Sequence, residues 1–288
     1  MASNTIVYQI PGAITDTSIP ILPRDALLTG SNNGVRFLFD LANAFSWTPG
    51  TPVQGKAVTD MAEISAAGQV NLSAGTLANT GNGIDFTSVT GRGCVSLPAT
   101  VAANIWTDQQ FIMCAYYKMP AVPTVTTGSA STSLFTAESG NSDHYGASAE
   151  FVLANWITTV SGRVQFARCT ALNTVDTRNL DMTIHAGLVT QVACWRTATE
   201  WNARFKSSAG TTLGTLAGAN TKNTTFDFSA KTLNFGPSGS FGIKDPYGAK
   251  TGLRLYRGWV ENLVTSGRTP ITVLDADYTN TIARAVYT

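Results

Sequence analysis

Between residues 34 and 264, short apolar runs alternate with clusters of Gly, Asn and Ser. The runs "GVRFLFDLA" (34–42), "GIDFTSV" (83–89), "GCVSLPA" (93–99), "SLFTAES" (133–139), "AEFVLANWITTV" (149–160), "GRVQFARCT" (162–170) and "KTLNFGPSG" (231–239) have the length and β-branched or aromatic content of strands. "FIMCAYYKM" (111–119) is apolar at nearly every position, as a central strand buried on both faces would be. Residues 188–216 read as two strands around a polar turn, followed by a third segment that ends near glycine, and "GLRLYRGWVENLV" (252–264) closes the series. Many short strands punctuated by turn residues predict a sandwich or barrel.

Helical signals are few. "LPATVAANIW" (97–106) places Val101 and Ile105 on one face for about two turns. At the C-terminus, Thr269 stands at an N-cap position and Pro270 at the first helical position. Ile271, Leu274, Tyr278 and Ile282 then recur at helical spacing, which predicts a short closing helix. Residues 1–33 lack sustained periodicity and contain Pro11, Pro20 and Pro23, so they read as an extended arm with one helical turn at "PRDALLTG". The apolar stretches "TIVYQI" and "IPIL" suit either docking on a neighbouring subunit or packing along the arm's own domain. The expected division is an arm over 1–33 and one sandwich over 34–288.

Composition supports this division. The chain has 288 residues, 43% hydrophobic and 13% charged, enough for one large core. A net charge of +1 with scattered basic residues supplies no stripe for nucleic acid, and no apolar run reaches the roughly 20 residues needed for membrane insertion. "MASNTIVYQIPG" lacks the basic start and apolar stretch of a secretory leader, so synthesis in the cytoplasm is expected. Cys94, Cys114, Cys169 and Cys194 are far apart in sequence and have no paired metal or redox spacing. They are expected to be reduced, core-filling thiols.

The order of these segments resembles the concanavalin-A-like (laminin-G-like) jelly roll found in bacteriophage virion structural proteins. The likeness rests on Asp60, "GNGIDF", Gly91 and "CVSLP", then "FIMCAYYKMP", the strands of residues 188–214, "LNFGPSG", and the last strand running into a helical turn in "GLRLYRGWVENLVTSGRTP". It spans roughly residues 35–285. It implies an all-β, two-sheet antiparallel jelly-roll sandwich with an extended N-terminal arm and a short C-terminal helix.

Candidate chemistry is sparse. Glycosidases position two carboxylates across the scissile bond, whereas Glu63, Glu138, Glu150, Glu200 and Glu261 each stand without an acidic residue two or four positions away. Asp275 and Asp277 alternate, but inside the proposed helix. Neither His144 nor His185 lies in a recognisable nucleophile motif. "ESGNSDHYG" gathers Glu138, Asn141 and Asp143, oxygen donors of the kind calcium takes, without the spacing of a dedicated calcium loop. The competing reading is a polar turn, and no cofactor is expected. Of the six tryptophans, Trp195 and Trp259 sit in strongly patterned strands, while Trp47 and Trp201 lie beside turns and are the candidates for stacking on a sugar.

The expectation is therefore a non-enzymatic virion structural protein: a tail-fibre, baseplate or capsid-decoration subunit. Its partners would be itself (a homo-oligomer, trimeric by analogy with fibres), other virion proteins and host-surface glycans. A free carbohydrate-binding lectin is the alternative, and a glycoside hydrolase or lyase a weaker one.

Overall fold

The computed structural model describes residues 24–30, 33–121, 131–138, 152–157, 162–171, 174–216, 220–224, 227–238 and 251–288. Strands β1 (Val35–Asp40), β2 (Ala57–Val58), β3 (Gly68–Leu72), β4 (Ala78–Thr80), β5 (Gly83–Asp85) and β6 (Gly93–Ser96) precede helix α1 (Ala99–Trp106). Next come β7 (Phe111–Lys118), β8 (Ser131–Glu138), β9 (Val152–Ile157), β10 (Arg163–Ala171) and β11 (Thr174–Asp181). Strands β12 (Val189–Arg196), β13 (Trp201–Ser207), β14 (Gly210–Leu216), β15 (Thr232–Phe235) and β16 (Arg254–Asn262) lead into α2 (Leu263–Ser266) and α3 (Pro270–Ala283).

These strands form two antiparallel sheets of eight. Sheet A runs β14-β13-β12-β7-β16-β5-β4, with β1 also paired to β16, and sheet B runs β11-β10-β9-β8-β15-β6-β3-β2. The antiparallel two-sheet sandwich expected from the turn-punctuated pattern is what the structure shows. Strand alternation sends Phe37, Phe39, Met113, Val192, Phe205 and Val260 of sheet A into one core with Val95, Phe135, Phe166, Leu233 and Phe235 of sheet B. Strand β7 is buried at all but its last position because its other face is covered too.

That second cover is α3. A separate core of Leu38, Ile112, Tyr116, Trp195, Trp259 and Leu274 lies between the outer face of sheet A and the helix. A β-bulge between Leu255 and Arg257 makes this possible. It sends Leu255 to the inter-sheet core and Tyr256 to the outer one, and Arg257, opposite the outward Tyr116, also faces α3. One residue further on, Gly258 faces inward beneath Phe39, where a Cβ would stand 2.6 Å from the ring. Only glycine fits there.

Arg257 is fully buried, and its guanidinium donates to Asp25 Oδ2 (2.7 Å) and Asp277 Oδ1 (2.8 Å), with Asp40 Oδ2 at 3.4 Å. Asp277 Oδ2 also accepts from the Tyr116 hydroxyl (2.7 Å) and the Trp259 indole (3.0 Å). Thr269 precedes α3 as expected but its side chain makes no capping bond, so the helix is held by packing and by Asp277. Asp275 is used in the same way, against Arg204 (2.9 Å) and Lys206 (2.6 Å).

The expected boundary between arm and sandwich falls inside packed structure. Residues 26–28 form the single helical turn anticipated there, Leu27 is buried in the outer core, and Asp25 is one of the counter-charges of Arg257. Burial pushes the Asp25 carboxyl up, but the adjacent Arg257 outweighs it and holds the group below the usual carboxylate range. The apolar stretches "TIVYQI" and "IPIL" lie outside the described residues. Deleting all of residues 1–33 would thus remove part of the sandwich itself.

Two outcomes follow. Replacing Asp277 with Ala leaves a buried guanidinium short of one partner, so we expect a loss of about 3–5 kcal/mol in urea unfolding; a loss below about 1 kcal/mol would show that the helix is anchored by packing alone. All four cysteines are buried and none forms a disulfide. Burial raises the Cys114 and Cys194 thiols well above their ordinary value. A thiol reagent should therefore titrate four groups only after denaturation, and labelling of native protein would contradict this packing.

Candidate functional site

While α3 covers the central strands on the outer face of sheet A, the outward central residues of sheet B form a polar layer of their own, with Ser96, Asn234 and Thr136 buried. Its centre is made by period-two alternation in short strands. In β15 Leu233 and Phe235 point into the core, so Thr232 and Asn234 point out. The same rule turns Cys94 and Ser96 outward from β6 and Thr136 outward from β8. Register then aligns Gln69, Ser96, Asn234 and Thr136 in one row across four strands. The row continues through Leu153 and Ala167 to Thr177 on β11.

Ser96 Oγ donates to Asn234 Oδ1 at 2.6 Å, and the Cys94 thiol approaches the same oxygen at 3.8 Å. Beside them, Asn71 Nδ2 reaches Ser96 Oγ at 3.5 Å. Thr136, fully buried, has a hydroxyl with no hydrogen-bond partner. Gln69 and Thr177, at the two ends of the row, are exposed. The central groups are hydroxyl, amide and thiol, with no ionisable pair among them. The centre of the row is neutral and lies below the surface, while Gln69 and Thr177 are exposed.

The residues singled out in the sequence lie elsewhere. Trp47 and Trp201 are only 2% and 1% exposed and belong to the inter-sheet core. Lys56 Nζ sits 3.9 Å over the Trp47 ring, and Phe111 packs 6.2 Å from the Trp201 ring. Neither offers a free stacking face, because a turn in sequence here lies over the core in space. Glu138 ends β8, opposite Thr232, while Asn141 and Asp143 lie outside the described residues, as does His144. Among the described residues, no group of three or more His, Cys, Asp or Glu could hold a metal ion.

His185 does meet a hydroxyl, which its place in the sequence did not suggest. Nδ1 lies 2.8 Å from Ser207 Oγ and Nε2 3.0 Å from Thr212 Oγ1. The second partner is a hydroxyl where a triad would have a carboxylate, and Ser207 Oγ is buried and accepts from Ala209 N–H. The arrangement ties the 3-10 turn Thr183–His185 to the β13–β14 hairpin. Sequence reading missed Ser96, Thr136 and Asn234, although "TLNF" carries the alternation that would have placed Asn234 outward.

The chain matches no family model and no curated protein. Solved structures with a similar arrangement include the CBM40 module of a Ruminococcus gnavus IT-sialidase bound to α2,6-sialyllactose, at 14% identity over 62% of this chain and 89% of that one (TM-score 0.39). The CBM2 module of the evolved Dit of Lactobacillus casei BL23 phage J-1 is similar at 11% identity over 80% and 95% (TM-score 0.38). Lectin UEA-II in complex with galactose is similar at 10% identity over 78% and 97% (TM-score 0.34). Likenesses at this level carry no ligand across to this chain.

Burial lowers the His185 pKa, opposed by the charge of Asp181, so the folded state prefers neutral imidazole. A depressed folded value means that stability is full above the ordinary histidine value of about 6.5 and is lost as pH falls from there through the folded value. We expect the unfolding midpoint to drop as pH falls below about 6.5, and the drop to disappear in His185→Gln. An unchanged pH profile in that variant would assign the acid sensitivity elsewhere.

Proposed function

We propose that this chain is a lectin-like recognition module of a virion structural subunit, contacting host-surface glycans through the outer face of sheet B. The observation that carries the glycan reading is the neutral polar row Ser96–Asn234–Thr136 with its unpartnered Thr136 hydroxyl. A buried hydroxyl without a partner costs on the order of 1–3 kcal/mol, which a ligand hydroxyl would recover. Sugars present many hydroxyls and, when neutral, no charge, so Ser, Thr and Asn side chains match them group for group. The virion setting is supported by the resemblance of segment order set out above. A non-enzymatic role is supported by how the described carboxylates are engaged. Asp25, Asp40 and Asp277 surround Arg257, Asp85 pairs with Arg254, and Glu261 meets Arg268 through both oxygens.

The test uses the full chain on a glycan array, followed by calorimetry on the best binder with wild type and Thr136→Val. The substitution keeps the shape and removes the hydroxyl. We expect unchanged or slightly higher stability and about three- to tenfold weaker binding, the worth of one hydrogen bond. If no glycan binds, or if Thr136→Val binds as wild type does, the site assignment fails.

A further inference from the structure

An open sheet ends in strands whose outward backbone groups can pair with another strand, and proteins that stay monomeric blunt them by shortness, charge, proline or bulges. Among the described residues the sandwich has five such edges: β2 and β11 in sheet B, and β1, β4 and β14 in sheet A, of which β1 is covered by the turn at 60–61 through Met61 N–H on the Leu38 carbonyl (2.8 Å) and Leu38 N–H on Asp60 Oδ1 (3.0 Å). Strand β2 is 2 residues long and β4 is 3. Strand β11, "TVDTRNLD", carries Asp176, Arg178 and Asp181. Strand β14, "GTTLGTL", is 7 residues long, with no charge and no proline. It pairs with β13 from Gly210 to Leu216 without a register shift. Four edges are blunted or covered and the fifth is not.

Strand β14 is also open and rigidly supported. Gly210, Thr211 and Leu213 are exposed, Leu213 at 52%. On its inner side Thr212 is held by His185, and Leu180 packs so closely on Gly214 that a Cβ there would come within 2.5 Å. On its outer side the neighbouring cations are already compensated, since Arg204 and Lys206, opposite Leu213 and Thr211, both bind Asp275. Ile184, 52% exposed, lies beside the start of the strand.

We propose that β14 is a self-association edge, through which two copies pair antiparallel about a two-fold axis to make one continuous sheet. A two-fold axis sets the strand against itself, so the partner must be complementary to the same sequence. This one is: threonines and Leu213 meet with no like charges opposed, and cross-strand Thr and apolar pairs are favourable. A charged strand such as β11 would have to bring its charges into one particular register to avoid opposing like charges. The contact requires neither the glycan site nor the virion setting.

The experiment is light scattering of the full chain across a concentration series, beside Leu213→Lys, with amide hydrogen exchange on both. Because Leu213 is exposed, the variant should keep its circular dichroism and unfolding midpoint. We expect a wild-type dimer, at least about tenfold weaker association in Leu213→Lys, and exchange protection over residues 211–215 that grows with concentration in wild type alone. A wild-type monomer at every concentration overturns the proposal. So does a dimer that Leu213→Lys leaves intact, or β14 protection that appears only when a different protein is added.

Discussion

The architecture turns on one buried guanidinium. Arg257 sits on the central strand of sheet A, fully buried, with Asp25, Asp40 and Asp277 around it, and Asp25 lies 232 residues away in sequence. Taking such a group out of water costs several kcal/mol unless good geometry and further hydrogen bonds compensate it. Here both terminal nitrogens are paired although Nε has no partner, and the network extends further: Arg284 and the Tyr287 hydroxyl meet Asp40, and Gln191 Nε2 donates to Tyr116 Oη and the Leu274 carbonyl. Each carboxylate comes from a different segment: the turn at 24–30, β1 and α3. The requirement to satisfy one charge therefore fixes three elements on one face of one sheet. Hydrophobic burial alone would hold α3 there but would set its rotation and position less strictly.

The consequence for function is a division of labour between faces. Sheet A spends its outer face on α3, and the inter-sheet core takes Trp47 and Trp201. What remains is sheet B, whose outward central positions are small and uncharged, and the uncharged edge at β14. Both features are uncharged, and both lie on strands.

Much of the layer structure was legible in the sequence, because period-two alternation and turn residues are local signals. The doubly apolar "FIMCAYYKM" correctly pointed to a strand covered on both sides, and the Pro270 helix lies where its spacing placed it. What could not be read was which face each side chain takes once a bulge intervenes. In "LYRGWV" the bulge turns Tyr256 and Arg257 together toward α3, so a simple alternation assigns one of them to the wrong layer. Pairing over long separations was equally hidden: Asp275 and Asp277 look like a stray acidic pair until Arg204, Lys206 and Arg257 are brought beneath them. Trp47 and Trp201 misled for a related reason, since position beside a turn says where the chain reverses and nothing about what covers the ring.

The same reasoning explains why ordinary signs of an active site are weak in this chain. Perturbed titration marks functional sites only when the perturbing charges serve no structural purpose. Among the large perturbations, Arg257, Tyr116 and Tyr287 are each buried and bonded to an aspartate that ties two segments together, while Cys114, Cys194 and Tyr117 are raised chiefly by burial in the cores. Glu261 likewise has its carboxyl raised by burial although Arg268 grips both oxygens. These groups are perturbed because the helix and the 24–30 turn carry their aspartates into the apolar layer they share with the outer face of sheet A. Outside that set stand His185, bonded to two hydroxyls and no carboxylate, and Arg168 and Arg196, whose values burial lowers. Much of the described charge is thus used in holding the layers together, and the sheet B row is neutral.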